Sequence, residues 1–142
     1  MKFLEFAELC ARLEKISGRL ETISVLSQTI ASLSKEDLPD FCRLIQGRPF
    51  PEWSGKKLGV GPNLLYEAVA YVTGRRREDV IDRLSRVGDA GAAVEELLSQ
   101  KSQTSFFTVE LTLADIMAGL VEISGMEGGR SQREKIRVIQ RL

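Results

Sequence analysis

Three short stretches of this chain share one design, glycine followed by the start of a helix: Gly59-Val60-Gly61, Gly88-Asp89-Ala90-Gly91 and Gly128-Gly129-Arg130-Ser131-Gln132. The first N–H groups of a helix have no partner in the helix, and its dipole makes that end positive, so phosphate is attracted there. Glycine removes the side chain that would keep a ligand away. At the third stretch Arg130, Arg133 and Lys135 add cations within about one turn. The plainer reading of each stretch is an ordinary helix cap, but three in so short a chain, two with basic neighbours, favour phosphate binding. Asp89 argues the other way, because its charge repels phosphate, and its expected task is to cap the helix that follows. Arg75-Arg76-Arg77 reads as a solvated charged face, while the mild cost of cations at a helix start points to an outside partner as the other reading.

Other chemistry is excluded by what is missing. The 142 residues contain no histidine, which removes His-based acid–base catalysis, serine triads, Cys–His nucleophiles and most transition-metal sites. Cys10 and Cys42 lie among apolar neighbours and read as reduced core residues of a cytosolic protein. Neither a membrane-length apolar run nor a signal peptide is expected. Formal net charge is zero, poor for a nucleic-acid binder as a sum, but distribution matters more. Between Arg130 and Arg141 there are five basic residues and one acidic, Glu134. Arg75–Arg77 and Lys56-Lys57 are further basic clusters, and acids dominate elsewhere. If the basic segments converge, one face is positive.

The elements that must position these residues are helical. An apolar fraction of 43% and a charged fraction of 28% are globular values, and the length suits one domain. Phe3, Phe6, Leu9 or Cys10, Leu13 and Ile16 mark one face of a first helix. A second runs from Leu20 to about Leu33 with Ile23, Leu26 and Ile30 inward. Ser34 is positioned to cap a third, carrying Leu38, Phe41, Cys42 and Ile45 and stopped by Gly47. Residues 47–61 form a loop in which Trp53 is expected to lie as a lid over the core. Pro62 opens a fourth helix, Gly74 ends it, and a fifth and sixth follow over about Arg76–Arg86 and from Ala90. Phe107, Val109 and Leu111 alternate like a strand, but with nothing to pair with they read as an extended linker. Thr112–Asp115 and Ser131–Glu134 are capping-box patterns opening a seventh and an eighth helix, the last still running at Leu142, as if the chain were cut from something longer. The expectation is an all-α, compact multi-helix domain.

Residues 7–18 (AELCARLEKISG) and 114–125 (ADIMAGLVEISG) align without a gap, with six of twelve positions identical. Helix periodicity alone can produce such a match. A true duplication would pack two helix pairs with pseudo-two-fold symmetry. The second copy alone carries the polar, glycine-rich segment from Glu127 to Gln132.

A different chemistry is written in Gln100-Lys101-Ser102-Gln103-Thr104-Ser105-Phe106-Phe107. Two adjacent phenylalanines in a polar stretch either fold back on the core or anchor a partner. Gln before Phe-Phe is the pattern of peptides that dock on the replication sliding clamp (PCNA). From Gln100 the full spacing fits except that Gln103 stands at the aliphatic position. From Gln103 a shortened Gln-x-x-Phe-Phe form remains.

Taken together, FAELCARLEKISGRLE, FPEW with LGVGPNLLYEAVAYVTG, GDAGAAVEELL, QTSFFTVELTLADIM and GGRSQREKIRVIQRL resemble, in order and spacing, the N-terminal DNA-binding domain of archaeal ATP-dependent DNA ligases. The resemblance covers the whole chain. It implies a domain that grips the minor groove around a nick, largely through the sugar-phosphate backbone, and helps adenylation and OB-fold domains close on the duplex in replication, repair and recombination. It implies DNA contacts at Gly59, Gly61, Gly88, Gly91, Ser131, Gln132 and Lys135, beside the Arg130 and Arg133 that charge alone points to. It also implies clamp binding through Gln103, Phe106 and Phe107. The family's nucleotidyl-transfer motif, Lys-x-Asp-Gly, is absent from this sequence, so the chain alone is not expected to be an enzyme. ATP and magnesium would belong to the parent ligase, with no cofactor or metal held here, in a cytoplasmic, nucleoid-associated protein. The alternative is a helical protein-interaction module docking through Phe106-Phe107 without DNA. Steep salt dependence of binding separates the two.

Overall fold

The computed structural model describes residues 1–100, 109–128 and 131–142. Among them there are eight α-helices and one 3₁₀ turn: α1 (Phe3–Glu14), α2 (Arg19–Ser32), α3 (Asp37–Ile45), the turn Glu52–Ser54, α4 (Pro62–Thr73), α5 (Arg77–Val87), α6 (Ala90–Ser99), α7 (Leu113–Ser124) and α8 (Ser131–Arg141). The all-α expectation holds. Contacts group the chain into two compact units, Met1–Lys57 with Val109–Val121, and Leu58–Thr108 with Glu122–Leu142.

The first unit is built on aromatic packing. Phe6, Leu9, Val25, Phe41 and Leu113 form its buried centre, with Phe3, Cys10, Leu13, Ile16 and Cys42 packed around them. Phe6 meets Phe41 edge-on at 5.8 Å between centroids, a favoured aromatic geometry. Both cysteines are free thiols, and burial raises the Cys10 pKa above the ordinary thiol value. Residues 109–111 form no strand, as the linker reading expects, but the end of the stretch has a partner. The Phe3 N–H donates to Leu111 O (2.7 Å) and the Leu113 N–H to Met1 O (3.2 Å), a single antiparallel bridge between Lys2 and Thr112. The Lys2 N–H donates to Glu5 and the Thr112 N–H to Asp115. The two helix starts are thus locally reciprocal, but Lys2 is matched with Thr112, whereas the sequence repeat matches Ala7 with Ala114. The geometry at the starts is therefore three residues out of the repeat's register.

Two expectations for this unit are corrected. On α2, Val25 is buried and Leu26 and Leu33 are half-buried, while Ile23 and Ile30 are exposed. The inward stripe uses Thr22 and Thr29 instead, whose hydroxyls donate to the carbonyls of Gly18 and Val25 and so need no outside partner. Trp53 is no lid: it is 88% exposed.

The second unit centres on Val69, Val80 and Leu97, with Leu65, Ala70, Leu84 and Val94 around them. Helix α4 packs against α5, α6 and α8. Ion pairs join Arg83 to Glu96 and Arg141 to Glu122. No described helix is long and apolar enough to cross a membrane.

Candidate nucleic-acid interface

All three glycine-marked helix starts fall in the second unit. The first is the barest. Gly61 is the N-cap of α4 with no side-chain cap, Pro62 occupies the first turn, and that turn holds no acidic residue. Helix α6 also lacks an acid in its first turn. Each of the other six helices has one there: Glu5, Glu21, Asp37 with Asp40, Glu78 with Asp79, Asp115 and Glu134. The two starts without first-turn acids meet. Val60, Gly61, Pro62, Leu65, Tyr66, Leu84 and Ala90 line one shallow groove of about 330 Å³.

A cation lies near Tyr66 of that groove. The Arg77 guanidinium donates to Asn63 Oδ1 (2.8 Å) in the first turn of α4 and lies 6.0 Å from the centre of the Tyr66 ring. One of its five N–H donors is committed to Asn63. Its neighbours are used differently. Arg76 holds Asp79 through two bonds (3.0 and 2.9 Å), which keeps the Asp79 carboxyl below its usual range. Arg75 reaches Gln100 at 3.3 Å.

Behind the α4 start lies Lys135. Its side chain is buried, 7% exposed, and its ammonium donates to Leu58 O (2.6 Å) and to Gly59 O at a longer 3.5 Å. Gly59 has φ +58°, and a Cβ on it would stand 2.8 Å from the Lys135 Nζ. Glycine here therefore meets two demands, left-handed backbone and close approach of the ammonium. Lys135 thus fastens the 58–59 backbone to α8 across 77 residues of sequence.

At the second start, Asp89 Oδ1 accepts the Ala92 N–H (2.7 Å), the capping expected of it. Gly88 closes α5 in the left-handed conformation, and Gly91 is exposed in the first turn of α6. At the third start the Ser131 hydroxyl donates back to Gly128 O (2.7 Å), in place of the expected capping box with Glu134. Gln132, Arg133 and Arg137 are exposed, and neither arginine has an ion-pair partner among the described residues. Gly129, Arg130, Gln103, Phe106 and Phe107 lie outside the described residues. No group of His, Cys, Asp and Glu among the described residues could hold a metal ion.

The sequence reading missed Tyr66, Leu84 and Arg77 as neighbours of the α4 start. Tyr66, four residues after Pro62 on one helix face, was within reach of pattern reasoning. Leu84 and Arg77 come from another helix and were not.

The family model described as DNA ligase N terminus matches residues 2–142. The chain belongs to that family. Among its curated relatives are archaeal DNA ligases. That of Methanospirillum hungatei JF-1 is 87% identical over 142 residues, all of this chain and 26% of the relative. That of Methanoculleus marisnigri is 54% identical over the same span. That of Archaeoglobus fulgidus is 36% identical over 143 residues, again 26% of its length. The chain therefore spans about a quarter of the length of the ligases it matches.

Proposed function

We propose that this domain binds nicked double-stranded DNA without sequence preference, as the N-terminal part of an ATP-dependent DNA ligase of replication and repair. The observation that carries the reading is the groove between the two helix starts that lack first-turn carboxylates, with Arg77 near its Tyr66. Start-of-helix N–H groups suit phosphate; in this groove Pro62 has none and Asp89 already takes that of Ala92, so the α4 start and Arg77 carry the larger share. Its apolar floor of Pro62, Leu65, Tyr66 and Leu84 suits the sugar faces of a minor groove. Nothing in such a site reads base edges, so contacts of this kind position the duplex without specifying sequence. Arg133, with Gln132 and Ser131 beside it, supplies further phosphate contact. Lys135 acts from behind by holding the Leu58–Gly59 backbone in place.

The adenylation and OB-fold domains, with ATP and magnesium, belong on this reading to the remaining three quarters of a full-length ligase. Gln103, Phe106 and Phe107 would dock the sliding clamp, a proposal supported by their spacing alone. The test is fluorescence anisotropy with a nicked and an intact duplex over a range of salt. Binding that weakens steeply with salt, by roughly 0.9 log units per log unit of salt for each phosphate neutralised, with the nick bound at least as tightly, supports the proposal. A folded sample that binds neither duplex at low salt overturns it.

A further inference from the structure

Trp53 is the one tryptophan of the chain and is 88% exposed, yet the turn that carries it is well tied. The Ser54 N–H and hydroxyl both donate to Pro51 O (3.0 and 2.7 Å). The Lys56 N–H donates to Ser54 Oγ (3.3 Å). Gly55 closes the turn at φ +64°, and Arg48 pairs with Glu52 at 2.8 Å. The fold thus presents a large flat ring to solvent on a fixed support.

The charges around it select the partner. From Arg48 to Lys57 there are three cations and one carboxylate, Glu52, and that carboxylate is already met by Arg48. Lys56 lies 5.9 Å from the centre of the Phe50 ring, and Lys57 is exposed. An open aromatic face beside uncompensated lysines is the arrangement that holds nucleic acid, the ring taking a base or sugar and the lysines taking phosphates. Trp53 follows Pro49-Phe50-Pro51 and precedes serine, glycine and two lysines, and it is the lysines that favour an anionic partner over an apolar protein surface.

We propose that Trp53, with Lys56 and Lys57, is a DNA contact of this domain, the indole laying its face on the duplex where base stacking is interrupted. A nick is such a place, since unstacking costs least where the duplex is already damaged. The proposal rests on the duplex-binding reading above and adds a contact in the first unit.

Because Trp53 is the sole tryptophan, its emission reports on this residue alone. The 142-residue chain is titrated with nicked duplex while anisotropy of the labelled DNA and tryptophan emission are read together. Expected are quenching of the emission in step with binding and loss of acrylamide access in the complex. Trp53→Ala should weaken binding by about fivefold or more, as expected for one stacked base, and leave the salt slope unchanged. Trp53→Phe should restore most of the affinity. Lys56→Gln with Lys57→Gln should lower the slope by about two. The melting temperature of Trp53→Ala should match the parent, given the exposure of the ring. If the duplex binds but Trp53 keeps its emission and its acrylamide access, the inference fails while the duplex reading survives. If neither duplex binds at low salt, both fail.

Discussion

The two units treat the entrances of their helices differently. In the first, α1, α2, α3 and α7 each have a carboxylate in the first turn. Glu5, Asp37 and Asp115 also take up hydrogen bonds there, Asp37 from the N-terminal ammonium and from Ser34. Each such carboxylate satisfies donors beside the helix start and offsets the positive end of the helix dipole, which makes the start less attractive to an outside anion. In the second unit, α5 follows the same habit with Glu78 and Asp79, but α4 and α6 do not. The two starts share a groove, in which the α4 start has no side-chain cap and the α6 start is capped by Asp89. A helix end that its own sequence leaves positive is stable only at some cost, and that cost is lifted when an anion arrives.

The most direct test is to give α4 the N-cap carboxylate that α6 has in Asp89. Gly61 has φ −90° and open space where a Cβ would stand, so Gly61→Asp fits and caps the helix. Thermal stability should hold or rise by about a few tenths of a kcal/mol, while duplex affinity should drop about tenfold or more, the worth of a charged hydrogen bond. Stability and binding moving in opposite directions is the signature, and unchanged affinity would remove the α4 start from the interface. The converse, Asp89→Asn, keeps an oxygen for the Ala92 N–H and removes the charge. It should tighten binding by about two- to fivefold.

Lys135 and Arg133 sharpen the comparison within α8. Lys135→Met leaves the Leu58 carbonyl without its charged donor and should destabilise the domain by about 1–3 kcal/mol, with weaker binding at an unaltered salt slope. Arg133→Gln should leave the melting temperature in place and lower the slope by about one. A slope lowered by Lys135→Met would make that lysine a phosphate ligand.

The smallest effect belongs to the first unit's carboxylates. Asp37 is held below the ordinary carboxylate range by the N-terminal ammonium and by Ser34, and Asp115 by Thr112. A depressed folded-state pKa stabilises above the unfolded value, near 3.9, and that contribution is lost as pH falls through the folded value. Melting temperature should therefore decline below about pH 4, and Asp115→Asn should flatten part of that decline. A variant melting curve that keeps the parent's full acid dependence would show the Thr112 contact to be without consequence.

Much of this was legible because the deciding signals are local. Gly61-Pro62, Ser34 before Asp37, Thr112 before Asp115 and Asp89 before Ala90 act within one turn, and each element begins near where these residues place it. Failures came where pattern was ambiguous or partners remote. Threonines that satisfy their own hydroxyls can face inward, so Thr22 and Thr29 displaced Ile23 and Ile30 from the core side of α2. Residue type alone makes Trp53 a lid over the core, whereas its ring is exposed. The Lys135–Leu58 clasp and the Lys2–Thr112 bridge join residues far apart in sequence, and no spacing rule foretells them. Gln103, Phe106, Phe107 and Arg130 were chosen from spacing and charge, and they lie outside the described residues.

The bridge between Lys2 and Thr112 also dictates an order of events during synthesis. Leu113 has no exposed surface and sits in the same cluster as Phe6 and Phe41, yet it leaves the ribosome about a hundred residues after Phe6. At about 5–20 residues per second this is a wait of roughly 5–20 s. Throughout that interval the aromatic cluster has an unfilled side, and most of the second unit is made before the first can close. The first unit to be started is therefore not the first that can be finished.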